Sequence, residues 1–274
     1  MSNNKKQLAK INKLKKVLKA PSVQEQFENA LGENSGGFVA SIIDLYNNDN
    51  YLQKCDPNKV VMEALKAATL KLPINKQLGF AYIVPYSNKP EFQIGYKGYI
   101  QLAMRTGKYR YLNADMIYEG EEVIAERVTG KLEIKGEKKS DKVIGYFAYM
   151  ELINGFSKAV YMTKEEVQAH GKRFSKSYSY DSSAWQTNFD AMALKTVIRA
   201  LLSKYGIMST EMITAFSQET KYSPEEQIQG EIDENANSET IDIDSPEEDE
   251  SGDENEEEKK PEQTAEVGPE GPGF

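Results

Sequence analysis

Charge is divided unevenly along this chain of 274 residues, and the division falls near residue 223. Residues 223–274 contain 20 acidic side chains and two lysines, a net charge of −18. The preceding 222 residues contain 32 basic and 23 acidic side chains, a net charge of +9. The overall charge of −9 therefore conceals a basic body, which attracts polyanions, and an acidic segment, which repels them or competes for the same surface.

The acidic segment combines low hydrophobicity with high charge and repeated Pro and Gly, so we predict that residues 223–274 form a disordered tail. The rest of the chain is long enough for one large domain, or for a domain with an appendage. Cys55 is the single cysteine, which suits a reducing cytoplasm. No apolar run approaches the ~20 residues of a membrane span, and the N-terminus lacks a secretory h-region. We therefore expect a cytoplasmic protein without a membrane partner.

The N-terminal region, residues 1–35, is predicted to be a basic helical arm. Apolar residues recur at helical spacing between its lysines, at Leu8, Ile11, Leu14 and Leu18. A mobile arm or a packing helix is favoured over a membrane-surface or partner helix because no Trp or Phe anchors the apolar side.

Further helices are predicted from their start signals and apolar faces. Ser22 and Glu25 form a capping-box pattern that opens a helix to Leu31. Phe38, Ile42, Leu45 and Tyr46 mark the face of the next helix. Asp56 and Pro57 are typical of an N-cap followed by proline at N1, which starts a helix through Leu70.

The pattern then changes to strands. Two strands, Gly79–Tyr86 and Glu91–Ile94, flank a hairpin loop, and a helix from Tyr96 to Arg105 ends at Gly107. Further strands are predicted at Tyr109–Tyr118, Lys131–Lys135, Val143–Ile153 and Phe156–Met162, with a two-residue turn at Asn154-Gly155.

Three helices follow these strands. Thr163 and Glu166 form a second capping box that opens a helix toward His170. A long helix is predicted from about Ser183 to Lys204, and a shorter one at about Thr210–Phe216. The predicted class is α+β, with antiparallel β-hairpins packed against helices.

The inventory of reactive residues argues against an enzyme. His170 is the only histidine, so neither a Cys–His pair nor a His/Cys metal site has enough ligands. The stretch Gly95–Gly98 is too short for a phosphate-binding P-loop. Glu119, Glu121 and Glu122 are typical of an acidic turn between strands, and a divalent-ion site is the less favoured alternative. We predict no catalytic residue, no metal site and no cofactor, although the scattered carboxylates of a two-metal nuclease stay possible.

Three stretches of the basic body interleave cations with aromatic residues. The first runs from Tyr96 to Arg110, and its cations are Lys97, Arg105, Lys108 and Arg110. Tyrosines beside lysine and arginine are typical of surfaces that bind single-stranded nucleic acid, where the rings stack on bases and the cations contact the phosphate backbone. The alternative for Tyr96 and Tyr109 is burial in the core.

The second and third stretches lie further along the chain. Residues 171–180 carry Lys172, Arg173 and Lys176 among hydroxyl side chains. These groups can all bond phosphate oxygens, and the alternative is an ordinary loop without a binding role. The third stretch, residues 185–199, has an apolar stripe headed by Trp185, which is favoured as a packing anchor over a base stacker. Lys195 and Arg199 share another face of this helix, because they are four residues apart.

The residues of these stretches also carry a family resemblance. The segments Gln77–Tyr86, Gln93–Arg105 and Trp185–Arg199 closely resemble the RecT family of phage and prophage single-strand annealing proteins. The resemblance extends from about Phe38 to Phe216. Together these motifs are specific, whereas any one of them alone is weak.

The resemblance implies an annealing domain at residues 36–222, built on a β-β-β-α-type core, in a bacterial cytoplasm. It implies ATP-independent pairing of complementary DNA strands by an oligomeric filament or ring. It also implies partners: single-stranded DNA, the annealed duplex, an exonuclease that exposes strands and a host single-strand binding protein. The predicted DNA-binding residues are Tyr96, Lys97, Arg105, Lys108, Tyr109, Arg110, Lys172, Arg173, Lys176, Trp185, Lys195 and Arg199. Two alternatives stay open, a metal-dependent nuclease that processes DNA ends and a passive single-strand coating protein.

The acidic tail has three possible roles: competition with DNA for the basic body, recruitment of a host protein, or solubility. Because its net charge of −18 is tethered beside a basic body, we favour competition as the testable case. Deletion of residues 223–274 is expected to tighten single-strand binding at low salt, measured by fluorescence anisotropy. Equal affinity with and without the tail would reject self-competition.

Overall fold

The computed structural model describes the backbone of residues 2–220 and the side chains of residues 8–217. The predicted acidic tail, residues 223–274, lies outside the described residues. Within them the chain has the predicted α+β class, with helices around antiparallel sheets.

Four helices form the N-terminal part of the structure, and two short 3₁₀ turns connect them. The helices are α1 (Ser2–Leu18), α2 (Pro21–Leu31), α3 (Ser35–Asn48) and α4 (Pro57–Thr69). The apolar stripe of α1 is buried at Leu14 and Leu18, and α1 packs on α3 and α4. Ile42 and Tyr46 bury the predicted face of α3.

The predicted starts of two of these helices have different outcomes. The Asp56 side chain accepts a hydrogen bond from the Asn58 N–H, and Pro57 follows at N1, so this N-cap is confirmed. The capping box at Ser22 and Glu25 is wrong, because α2 begins at Pro21 and its N-cap residue Ala20 makes no side-chain cap. Proline at N1 has no N–H to satisfy and holds a helical φ, which is sufficient to start the helix.

A β-hairpin and a helix come next in the chain. Strands β1 (Ala81–Tyr86) and β2 (Lys89–Ile94) pair antiparallel, and helix α5 spans Tyr96–Arg105 as predicted. The turn is tighter than the predicted loop, because Ser87 and Asn88 both adopt positive φ, 47° and 66°, so β2 begins at Lys89. Both central residues at positive φ are the geometry that fits the twist of a hairpin.

A three-stranded antiparallel sheet forms the centre of the fold, in the order β3-β6-β7. Its strands are β3 (Tyr109–Tyr118), β6 (Val143–Leu152) and β7 (Ser157–Thr163). Alternate residues of β6 point to opposite faces, and Tyr146, Ala148, Met150 and Leu152 are all buried. We call this side the core face of the sheet, and it packs against the helix Phe189–Tyr205.

Two features of the strand region differ from prediction. An additional strand, β4 (Glu121–Glu126), pairs with β5 (Lys131–Gly136) as a separate hairpin, in a stretch where only β5 was predicted. The turn at Asn154-Gly155 is not a two-residue turn, because only Gly155 has a positive φ, 86°. Hydrogen bonds from Leu152 N–H to Phe156 O and from Gly155 N–H to Leu152 O close a three-residue loop instead.

Four helices complete the described chain. They are α6 (Lys164–Phe174), α7 (Ala184–Thr187), α8 (Phe189–Tyr205) and α9 (Thr210–Thr220). Thr163 and Glu166 form the predicted capping box of α6 in both directions. The predicted continuous helix from Ser183 is wrong, since Asn188, with φ −151° and ψ 59°, separates α7 from α8.

Helix α8 is the central helix of the core. Its residues Ala193, Val197 and Leu201 are fully buried, and α8 packs on β6, β7 and β3 on one side and on α5 on another. At its N-terminal end the buried Tyr146 hydroxyl donates a 2.6 Å hydrogen bond to the Asp190 carboxylate. Burial first, then this bond and the charge of Asp190, raise the pKa of Tyr146, so the hydroxyl stays a donor at neutral pH.

This contact predicts the effect of a single-atom deletion. Tyr146→Phe leaves the Asp190 carboxylate without its donor, and we expect a loss of about 1–3 kcal/mol in the free energy of unfolding. Urea denaturation measures this difference. Tyr180→Phe is the matched control, because Tyr180 is 64% exposed, and it should change stability by about 0.5 kcal/mol or less. Equal stability of the two variants would contradict a fixing role for the Tyr146–Asp190 bond.

Candidate nucleic-acid interface

The first turn of α5 presents Lys97 at the surface because two glycines allow a close backbone approach. A Cβ on Gly95 would lie 2.1 Å from the Gly79 carbonyl oxygen, and one on Gly98 would lie 2.2 Å from that of Phe80. Only glycine fits both places, which accounts for the glycines that flank Tyr96 and Lys97 without any phosphate loop. Lys97 is exposed beside this contact.

One flank of α8 carries Lys195 and Arg199, each half-buried. The Lys195 Nζ donates to the Gln93 side-chain oxygen on β2 at 3.2 Å. The Arg199 guanidinium lies 5.6 Å from the ring centroid of Phe216 on α9. Its Nε is buried and has no hydrogen-bond partner among the described residues. These contacts place the third basic stretch beside β2, α5 and α9.

The second basic stretch begins at the C-terminal end of α6. Lys172 and Arg173 lie in the last turn of α6, where cations oppose the negative end of the helix dipole, and both are exposed. The alternative of an ordinary loop does not hold for these two residues, because α6 continues to Phe174. Lys176 is exposed in the turn that follows.

The turn after α6 folds back onto α7. The ring centroids of Tyr178 and Trp185 are 5.5 Å apart, and the Gln186 Nε2 donates to the Tyr178 carbonyl at 2.6 Å. A Cβ on Gly171 would lie 2.7 Å from the Tyr178 ring and 2.9 Å from Trp185, so this glycine admits both rings. The second basic stretch therefore lies against the N-terminal end of the α7–α8 segment.

The C-terminal end of the first stretch lies near the opposite end of α8. The buried Tyr109 hydroxyl donates to the Ile207 carbonyl at 3.1 Å, just beyond the last residue of α8. Burial, opposed by this hydrogen bond, raises the pKa of Tyr109. Lys108 is exposed one residue earlier.

Two cations that the sequence patterns did not select lie near this end. Lys158 Nζ is 6.0 Å and Lys204 Nζ is 5.2 Å from the ring centroid of Tyr205, the last residue of α8. Lys204 shares a helix with Lys195 and Arg199, which is a signal that the sequence contained. Lys158 reaches Tyr205 only through the tertiary fold.

Arg105 has a role inside the protein. Its guanidinium donates to the carbonyl oxygens of Leu70 and Lys71 at 2.6 and 2.8 Å, and it lies 4.0 Å from the carboxylate of Glu211. Helix α4 ends there with Lys71 at φ 52°, where the Leu72 N–H bonds back to Ala67 O. Arg105 thus satisfies carbonyls that the helix end leaves without intrahelical partners.

Arg110 lies apart from the α8 flank. Its guanidinium forms a 2.7 Å ion pair with Glu151 on β6 and donates to the Ile153 carbonyl at 3.3 Å. Because Glu151 points away from the core face of the sheet, Arg110 belongs to the opposite side. The structure therefore does not group Arg110 with Lys195 and Arg199.

The three predicted aromatic candidates differ in burial. Trp185 is 7% exposed and Tyr109 6%, and Tyr96 is half-buried against the core. Trp185 also lies 5.9 Å from Phe189, edge to face. These are the geometries of packing side chains, and a base could reach Tyr96 more easily than the other two.

The carboxylates singled out beside β4 have partners within the protein. Glu119 accepts hydrogen bonds from Lys142 at 3.0 Å and Ser140 at 2.9 Å, and the bond from Lys142 leads the contacts that lower its pKa. Glu121 accepts from the Tyr118 N–H at 2.7 Å. Across residues 2–220, no group of three or more His, Cys, Asp or Glu is placed to hold a metal ion. In the same part of the chain, no helix has the length and apolar character to cross a membrane.

Part of each basic stretch thus contacts the helical segment α7–α8, which packs on a small antiparallel sheet, whereas Arg110 lies on the other side of that sheet. The chain is therefore an α+β protein whose basic stretches adjoin a central helical segment. The family model described as the RecT family matches residues 36–241, which is more than half of the chain. The chain therefore belongs to the RecT family.

Two relatives support the membership. The chain is 53% identical over 207 residues to the uncharacterized protein YqaK of Bacillus subtilis (strain 168), a match that covers 75% of this chain and 72% of that protein. It is 31% identical over 180 residues to Protein RecT of Escherichia coli (strain K12), with 62% of this chain and 65% of that protein covered. The resemblance drawn from the sequence motifs is confirmed. Family membership supports a role in single-strand annealing during DNA recombination.

The Arg105 contacts predict a loss of stability. Arg105→Ala leaves the Leu70 and Lys71 carbonyls without their donors, and we expect about 1–3 kcal/mol less free energy of unfolding by urea denaturation. Arg105→Lys should recover only part of this, since an ammonium does not reproduce the two-pronged geometry. Lys97→Ala, in the same helix and exposed, is the control and should be near wild type. An Arg105→Ala variant as stable as this control would show that the carbonyl contacts contribute nothing.

Proposed function

We propose that this protein pairs complementary single DNA strands without ATP, and that it holds the strand backbone along the α7–α8 segment. The observation that supports this most directly is the convergence of three separate basic stretches on that segment. Helix α8 alone is about 25 Å long, so its flank can follow several successive phosphates of one strand.

The physical requirement for annealing explains why such a surface suffices. Two bare strands repel as they approach, because each carries closely spaced negative charge. A protein that hastens pairing must neutralise the backbone and leave the Watson–Crick edges free, which calls for phosphate contacts without base readout. The stacking of the product, about 1.4 kcal/mol per step, then drives the reaction. No fuel and no bond chemistry are needed, which is consistent with a protein that is not an enzyme.

The proposed phosphate contacts fall into two groups. The exposed cations are available without rearrangement: Lys97, Lys108, Lys172, Arg173 and Lys176. Lys195 and Arg199 lie deeper on the α8 flank and would meet phosphates in the floor of the surface. Arg105 and Arg110 each donate to protein oxygens, and only their remaining N–H groups can reach a phosphate. Tyr96, Tyr109 and Trp185 are proposed chiefly as supports for the cations beside them.

The same proposal includes an assembly and its setting. A row of protomers, in a filament or a ring, would present a continuous basic surface to a strand longer than one protomer can hold. The proposed partners are single-stranded DNA, annealed duplex, an exonuclease that exposes strands and a host single-strand binding protein. A bacterial cytoplasm is the proposed location, and Cys55 is a free buried thiol there.

The alternative functions predict different outcomes when the protein is mixed with single-stranded DNA. A metal-dependent nuclease shortens labelled single strands in the presence of Mg²⁺, whereas a passive coating protein protects them without hastening their pairing. We expect intact strands and faster pairing of complementary fluorescent oligonucleotides, with no ATP present. Shortened strands, or pairing no faster than without protein, would overturn the proposal.

The contribution of individual cations is measurable from the salt dependence of binding. In the double variant Lys108→Ala/Lys172→Ala, the slope of log affinity against log salt should shrink by ~0.7 for each phosphate that the protein no longer neutralises, and annealing should slow. Lys59→Ala is the matched control, because Lys59 is an exposed lysine on α4, remote in sequence from the basic stretches. An unchanged slope in the double variant would remove both lysines from the DNA-binding surface.

A further inference from the structure

The central sheet has a second face that points away from α8. Its side chains alternate with those of the core face, and register pairs Tyr111 with Glu151, Asn113 with Tyr149, and Asp115 with Phe147. On the other side of β6, Tyr161 of β7 pairs with Phe147. We call the surface formed by Tyr111, Asn113, Asp115, Phe147, Tyr149, Glu151 and Tyr161 the outer face.

The outer face is aromatic and partly open to solvent in the described part of the chain. Tyr111 is 60% exposed, Asn113 and Asp115 are exposed, and Phe147, Tyr149 and Tyr161 are half-buried. Their neighbours on the core face, Tyr146 and Ala148 among them, are fully buried. Four aromatic rings lie side by side on this partly exposed face, a composition that is typical of contact sites.

The outer face carries two carboxylates, Asp115 and Glu151, and one cation, Arg110, which pairs with Glu151, so its net charge of −1 contrasts with the basic body. Asp115 is exposed, and Glu151 shares its carboxylate between Arg110 and the Tyr149 hydroxyl. Burial, followed by the charges of Glu166 and Glu165, raises the pKa of Tyr161, so negative charge at the start of α6 also acts on this ring. Phosphates are repelled from such a surface, whereas lysines gain from both carboxylates and ring faces.

Helix α1 has the complementary character. Its sequence contains six lysines and no acidic residue. Leu14 and Leu18 are buried against the body, and the residues on the opposite side of the helix are Leu8, Asn12 and Lys16, at i, i+4 and i+8, with Lys19 in the turn that follows. All four are exposed, and Leu8 is 59% exposed. This outward stripe joins one apolar side chain to a row of positive charge.

We propose that the outward stripe of α1 docks on the outer face of the sheet in a second copy of this chain. Within its own protomer α1 packs on α3 and α4, so the same helix is free to reach a neighbour with its other side. The contact joins two different surfaces and is therefore heterologous. Such contacts generate rings when the rotation closes and filaments when it does not.

This inference rests on the proposed function for its oligomeric setting, and it adds which surfaces meet. It also separates two tasks on one sheet. The core face supports α8 and its cations, and the outer face binds the next protomer, which keeps acidic side chains away from the DNA.

Charge reversal with rescue tests the contact in the full-length protein without DNA, by sedimentation velocity at low salt. Asp115→Lys, or Lys16→Glu with Lys19→Glu, should each weaken self-association by ~10-fold. The combination of all three substitutions should restore association, because the reversed charges again attract. Glu33→Lys is the control, an exposed carboxylate between α2 and α3, and it should leave association unchanged.

Self-association unaffected by both reversals, or no rescue in the combination, would overturn the docking proposal. So would a protein that stays monomeric at every concentration and salt. None of these results bears on the annealing assignment, which the strand-pairing assay decides separately. An Asp115→Lys variant that binds DNA more tightly but associates normally would place the outer face beside DNA and also overturn the docking.

Cross-linking gives a second readout that does not depend on weakened association. In a Cys55→Ser background, Lys16→Cys and Asp115→Cys are made in separate chains and mixed with a short bismaleimide. We expect dimers that contain one chain of each kind, and few in either variant alone. An equal yield from Glu33→Cys mixed with Lys16→Cys would show that the cross-link reports collision and not docking.

Discussion

The packing of α8 between the three-stranded sheet and α5 is the constraint on which the rest of the structure depends. Its buried residues cover the core face of the sheet, and the Tyr146–Asp190 hydrogen bond fixes its N-terminal end. Its C-terminal end is held where Tyr109 donates to Ile207. Every basic stretch contacts this helix or the segment that leads into it. A change in the position of α8 would therefore move Lys195 and Arg199 directly and disturb the contacts of the other two stretches with this segment.

The contacts of each cation divide the basic residues into two kinds. Arg105 satisfies the carbonyls at the end of α4, and Arg110 pairs with a carboxylate, so both are required by the fold itself. The exposed lysines Lys97, Lys108, Lys172 and Lys176 make no comparable side-chain contact among residues 8–217. The sequence does not distinguish these cations, because an arginine that caps a helix and an arginine that binds a phosphate are the same residue type. Only tertiary contacts separate them.

Local signals predicted the elements that local physics controls. Helix α5, strand β3 and the Thr163 capping box all follow from residues within a few positions of one another. The break at Asn188 could not be read from its neighbours, because it lets Trp185 pack on Tyr178 while α8 follows the sheet. The β4 strand was hidden because its exposed residues lack the alternation of a half-buried strand. Lys195 and Gln93 are 102 positions apart in the sequence, and residue spacing does not predict a contact between residues so far apart.

The distribution of charge over the sheet favours different roles for its two faces, DNA binding on the α8 side and protein contact on the outer face. A protein that neutralises DNA must collect cations, yet identical basic surfaces repel one another when protomers line up. In the proposed contact the outer face would remove that conflict, because a neighbour's lysines would meet carboxylates and rings there instead of other lysines. The proposed arrangement would also keep the strand on the α8 side of the sheet. Assembly and DNA binding would then strengthen each other, since each added protomer would extend the basic surface while its own repulsion is offset at the protein contact.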